Sequence, residues 1–87
     1  MKMTAELSLY PLQKDYKEVV LQFIEELLRE RDIVAVTTSI STQLSGEHTV
    51  VFSAIEHALV ASHDKFGRQV LVAKFIPEHF ADIGPEV

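Results

Sequence analysis

The chain has 87 residues, 47% of them hydrophobic, and a formal charge of -5; this suits one globular domain and excludes a disordered chain. It has no cysteine, which excludes disulfides, thiolate metal sites and thiol catalysis and fits a reducing cytoplasm. The acidic balance disfavours nucleic acid and favours a cationic small molecule, while the absence of both a ~20-residue apolar run and a secretory leader pattern points to a cytoplasmic protein without a membrane partner.

Thr4 to Tyr10 alternates polar and apolar residues. Ala5, Leu7 and Leu9 share one face of a strand, and Thr4, Glu6, Ser8 and Tyr10 share the other. Pro11 cannot donate to a ladder and ends the strand. Asp15 is placed as an N-cap with Glu18 three residues on, a capping-box spacing. Tyr16, Val19, Val20, Phe23, Ile24, Leu27 and Leu28 then recur at helical spacing, predicting a helix over about 16–31. Glu25 and Arg29 on its solvated end form an i, i+4 pair.

Residues 33–38 are β-branched and short, predicting a second strand. Ser39 and Ile40 lie at a reversal, and residues 41–45 form a third strand; one long bent strand is the alternative. Gly46-Glu47-His48-Thr49 opens a second helix, with Val51, Phe52, Ile55, Ala58, Leu59, Ser62 and Phe66 as its apolar stripe and Gly67 as its C-terminal glycine. Val70 to Ile76 is the last strand, with Leu71, Ala73 and Phe75 on one face and Val70, Val72 and Lys74 on the other. Pro77 ends it, and residues 77–87 are expected to be an irregular tail.

The order β-α-β-β-α-β makes two split βαβ units. The expected fold is therefore α+β: a ferredoxin-like sandwich over residues 1–76, with four antiparallel strands and both helices on one sheet face. The other face stays open and carries Val70 and Val72 beside Glu6, Ser8, Tyr10, Gln43 and Lys74. Faces of that mixed character meet a partner subunit, a ligand, or both.

Glu6 lies mid-strand, where glutamate is disfavoured. It is either the cross-strand partner of Lys74 or an acceptor for a ligand's amino group. Ser8, Ser41, Thr42 and Gln43 offer hydrogen bonds of either sense and join Glu6 as candidate ligand-binding residues. Ser39 and Ser45 fit turn chemistry or a solvated strand better. Tyr10 could stack on a flat heterocycle or cap the sheet edge. Glu47 reads as a helix-capping residue facing the dipole. The four histidines have no metal-ligand spacing, and no catalytic residue, metal or cofactor is expected.

The segments Ala5-Glu6-Leu7-Ser8-Leu9-Tyr10-Pro11-Leu12 and Ser41-Thr42-Gln43-Leu44-Ser45-Gly46-Glu47, with the intervening Tyr16 and Val19/Phe23-Ile24 helix, Val51-Phe52 and the closing Gly67-Arg68 strand, resemble the thiamine-binding, YkoF-like domain family. The likeness covers roughly residues 3–76. It implies a ferredoxin-like fold, association through sheet faces into a homodimer or homotetramer, and binding of thiamine or its hydroxymethylpyrimidine moiety without chemistry. The competing reading is a structural or regulatory oligomerisation module with no thiamine-related ligand. An enzyme ranks last, because the open-face candidates include neither histidine nor arginine.

Overall fold

The structure, a computed structural model, describes residues 1–38 and 40–79. Its elements follow the expected order: β1 (Lys2–Pro11), α1 (Tyr16–Leu27), β2 (Val34–Thr37), β3 (Thr42–Glu47), α2 (His48–Phe66) and β4 (Gln69–Pro77). The strands form one antiparallel sheet in the order β2-β3-β1-β4. This is the ferredoxin-like α+β arrangement, with the two crossover helices side by side. Segments 2 and 3 pair as a hairpin, Thr37 opposite Thr42, so the bent-strand alternative fails. Of the expected tail, residues 80–87 lie outside the described residues, as does Ser39.

Period-two alternation sorts the strand residues as read from the sequence. Met3, Ala5, Leu7 and Leu44 face the helices and are buried against Phe23 and Leu27 of α1 and Val51, Ala54, Ile55 and Ala58 of α2. Hydrophobic burial of this layer is the main source of stability. Phe52 does not join it. It remains half exposed and stacks on Phe75 of β4, with ring centroids 4.9 Å apart.

Several local details differ from expectation. Helix α1 stops at Leu27, not Arg31. Leu27 is the last residue of the buried stripe; Arg29-Glu30-Arg31-Asp32 has nothing apolar to continue it. The backbone tightens there, Arg29 N–H donating to the Glu26 carbonyl and Glu30 N–H to that of Leu27, both at 3.3 Å. The Glu25–Arg29 pair gives way to Glu26–Arg29 at 3.5 Å. Asp15 occupies the N-cap position but makes no side-chain cap bond, and Glu18 accepts instead from Gln22, one turn along. Glu47 likewise caps nothing with its side chain. Its carboxylate meets the Met1 ammonium at 2.9 Å and Lys2 at 3.7 Å. The ammonium's hydrogen bond and charge, joined by Lys2, hold that carboxyl below the usual glutamate range.

Ser45 is another correction. It is fully buried in a central strand, not solvated. Glu78 adopts a left-handed conformation, φ 58°, and turns the chain back after β4. The His79 carbonyl then accepts the Thr4 hydroxyl proton at 2.9 Å. The Ser45 hydroxyl lies 2.7 Å from Thr4 Oγ1, a hydrogen bond in which either oxygen can be the donor. This end of the open face is therefore closed.

Gly46 is required for space. A Cβ there would lie 2.8 Å from the Asp32 carbonyl oxygen and 3.3 Å from Ile33 Cγ2. The first contact is with backbone, which has no rotamer to yield. Gly46→Ala is expected to destabilise by about 1–3 kcal/mol, the range for overpacking. A lowered urea midpoint with an unchanged slope checks this; an unchanged midpoint would mean that the approach to β2 moves freely.

Candidate functional site

The six sequence-derived candidates fall on two sides of the sheet. Glu6, Ser8, Tyr10, Ser41 and Gln43 share the open face. Thr42 does not: it stands opposite Leu7, and alternation turns its side chain toward the helices, where it is buried. Its hydroxyl bonds that of Thr37 at 3.1 Å.

On the open face, Glu6 sits between Gln43 on β3 and Lys74 on β4. One carboxylate oxygen lies 3.8 Å from Lys74 Nζ, and the other accepts the Ser41 hydroxyl at 3.0 Å. The Lys74 side chain is 75% exposed, so this ion pair contributes less than ~1 kcal/mol. Its effect is orientation: it fixes a carboxylate at the centre of a face otherwise flanked by Val34 and Val36 on one side and by Val70, Val72 and Ile76 on the other. All five are more than 40% exposed. Tyr10 lies at the far end, opposite Val70, and is also exposed.

A cavity of about 410 Å³ lies on the other side of the same strands. It exists because the elements above and below it end at different places. Helix α1 presses Val19, Phe23 and Leu27 onto the sheet. Val20 and Ile24 lie one position round, over β1 and the β2–β3 hairpin. Strand β2 has four residues and β3 begins only at Thr42, while β1 runs on to Pro11. The space between is lined by Leu7, Leu9, Val20, Phe23, Ile24 and Thr42. Thr37, Thr38, Ile40, Ser41 and Ser8 also border it, on the sheet and hairpin side, and Tyr16, Lys17 and Leu21 of α1 border it on the helix side.

Three of the six candidates, Ser8, Ser41 and Thr42, therefore border one cavity. Glu6 reaches that border through Ser41. Gln43 and Tyr10 do not take part. The volume suits one small ring system. Its lining is apolar apart from hydroxyl and main-chain groups and the Lys17 side chain, so it would hold a flat heterocycle by dispersion and orient it with a few hydrogen bonds. The α1 contributors Val20 and Ile24 were read only as core residues. Nothing in helical periodicity distinguishes a residue packed on a strand from one placed over a gap.

Among the described residues, no three histidine, aspartate or glutamate side chains gather in a metal-holding group, and no helix is long and apolar enough to cross a membrane.

The fold recurs in solved structures. A Streptococcus pneumoniae protein superposes with a TM-score of 0.81 at 22% identity, over 95% of this chain and 93% of that one. A hypothetical protein of the archaeon Methanocaldococcus jannaschii gives 0.79 at 25% identity, covering 90% and 81%. A Thermotoga maritima protein provisionally assigned to thiamine biosynthesis or salvage gives 0.75 at 18% identity, covering 86% and 82%. No curated protein is significantly similar. The sequence model of the YKOF-related family matches residues 2–74, nearly the whole of the sheet-and-helix unit just described, and the chain belongs to that family.

Proposed function

We propose that this protein binds thiamine or its hydroxymethylpyrimidine moiety without transforming it. The carrying observation is the cavity between α1 and the end of β1: large enough for one heterocycle, apolar on its walls, and bordered by Ser8, Ser41 and Thr42. Family membership supports the reading, as does the provisional thiamine-related assignment of the Thermotoga neighbour. The role is read as binding without chemistry, the described lining offering apolar walls, hydroxyls and main-chain groups with the Tyr16 and Lys17 side chains at its edge. A permanently cationic thiazolium extending beyond the cavity would be favoured by the acidic chain. The cysteine-free composition suits action in a reducing cytoplasm.

The open face favours a second property, assembly into a homodimer or homotetramer. Exposed valines on both flanks of a polar centre make a surface that gains by burial. An oligomerisation module without a thiamine-related ligand would use the same face and leave the cavity unused.

Titration calorimetry with thiamine and with hydroxymethylpyrimidine separates the two. The binder reading expects saturable heat with one site per chain, and a gain of ~2.7 kcal/mol in stability at a ligand concentration 100 times the dissociation constant. Light scattering showing an oligomer, with neither compound bound, would leave the oligomerisation module standing and overturn the binder.

A further inference from the structure

The direction of each backbone group in β1 follows from two hydrogen bonds. His48 N–H donates to the Met1 carbonyl at 2.9 Å, and Glu78 N–H donates to the Lys2 carbonyl at 2.7 Å. Odd-numbered residues of β1 therefore direct N–H and C=O toward β3, and even-numbered residues toward β4. Met3, Ala5 and Leu7 meet Gly46, Leu44 and Thr42. The same register would place Ile40 opposite Leu9.

Ile40 is not there. The Thr38 hydroxyl accepts the N–H groups of both Ile40 and Ser41 at 3.2 Å, and Thr38 N–H donates to the Ser41 carbonyl at 2.8 Å. This local bonding competes with the ladder and takes the N–H that would otherwise reach the Leu9 carbonyl. Strand β1 continues to pair with β4 as far as Pro11. Leu9 is thus left with a main-chain donor and acceptor directed away from β4 and without a hydrogen-bond partner among the described residues. Leu9 also lines the cavity.

We infer that the Leu9 main chain is the polar recognition element of this cavity, pairing strand-fashion with a small ligand that carries a hydrogen-bond donor beside an acceptor. The amino group and adjacent ring nitrogen of a 4-aminopyrimidine have that arrangement. This rests on the binder reading above and adds what that reading lacks: the atoms that select the ligand. A peptide strand fits the gap poorly. Leu7 and the odd residues before it are already paired with β3, and Pro11, the next residue facing the gap, has no N–H. A segment adding to this edge would find one complete donor–acceptor pair, enough for a small molecule and too little for a strand.

The test uses 4-amino-2-methylpyrimidine and its 4-dimethylamino analogue, which keeps the ring and loses the donor. Amide hydrogen exchange by NMR should find Leu9 exchanging faster than Ala5 and Leu7 in the free protein, then slowing about tenfold or more with the amino compound. The dimethylamino analogue should bind at least about tenfold more weakly, the effect of losing one hydrogen bond and leaving its partner unpaired. Thr38→Val frees the Ile40 N–H to pair with Leu9. It should protect the Leu9 amide without ligand and weaken binding, while Thr38→Ser keeps the hydroxyl and both wild-type behaviours. Binding of the amino compound with an unchanged Leu9 amide, or equal affinity for the two pyrimidines, would overturn the inference and leave the binder intact. No binding of either pyrimidine, or of thiamine, would overturn both.

Discussion

Replacing Leu44 by alanine is expected to cost about 2–5 kcal/mol, the range for truncating a buried leucine. Leu44 is fully buried at the centre of β3 and faces the helices. Its cross-strand partners on that face are Ala5 on β1 and Ala35 on β2. Both neighbours are methyl groups on fixed backbones and have no side chain that could swing into the vacated space. The cavity would persist, which puts the cost toward the upper part of the range. A domain of this length has roughly 4–13 kcal/mol of total stability, so the variant loses a large share of it. Its melting temperature should fall by about 8 °C or more. Urea unfolding at constant slope measures the change. Leu44→Met keeps the volume and should cost less than ~1.5 kcal/mol. Equal losses in the two variants would show that the site responds to shape and not to vacated space.

That a small residue lies on each side of Leu44 was legible in the sequence only as alternation. Register made it a packing statement. The same distinction runs through the molecule. The β1 pattern from Met3 to Tyr10 identified a strand with one buried face because a period of two has no helical counterpart. The opposition of Glu6 and Lys74 followed from the expected strand order and is present at 3.8 Å. Thr42 was grouped with Ser41 and Gln43 as one run of polar residues, yet successive strand residues face opposite ways. The sequence held enough to separate them; their similar chemistry obscured it.

Other features depend on where pairing stops, which local composition does not encode. Helix α1 ends at Leu27 because the buried stripe ends there, although Leu28 continues the apolar run. Gly46 needs to be glycine because Asp32, fourteen residues away, brings its carbonyl to the place of a side chain. Ser45 reads as solvated in the sequence, yet it is fully buried beside Thr4, whose hydroxyl donates to the His79 carbonyl. The cavity itself follows from β3 starting two residues too late to cover Leu9, and that depends on one threonine hydroxyl capturing two amide protons. Each is a long-range consequence of a short-range choice. The candidate site was legible as a neighbourhood around Ser8 and Ser41, and its depth was not.

If the cavity is the binding site, filling it should abolish binding while leaving the fold intact. Val20 is the residue to enlarge. It lies on α1, is only partly buried, and lines the cavity without belonging to the buried core cluster. In Val20→Trp the indole would enter space that holds no protein atoms, so it displaces no packed neighbour and avoids the usual overpacking cost. The melting temperature should stay within a few degrees of wild type, since the ring buries apolar area as it enters. Affinity for hydroxymethylpyrimidine should fall at least about a hundredfold, equivalent to roughly 2.8 kcal/mol, because ring and ligand compete for one volume. Val60→Trp supplies the control. Val60 is exposed on α2 and does not line the cavity, so it adds the same indole elsewhere and should leave affinity unchanged. Calorimetric titration of both variants, with circular dichroism to establish that each is folded, reads the comparison directly. Full affinity in a folded Val20→Trp protein would move the ligand out of the cavity and onto the open face, where Glu6 would again be its first candidate partner.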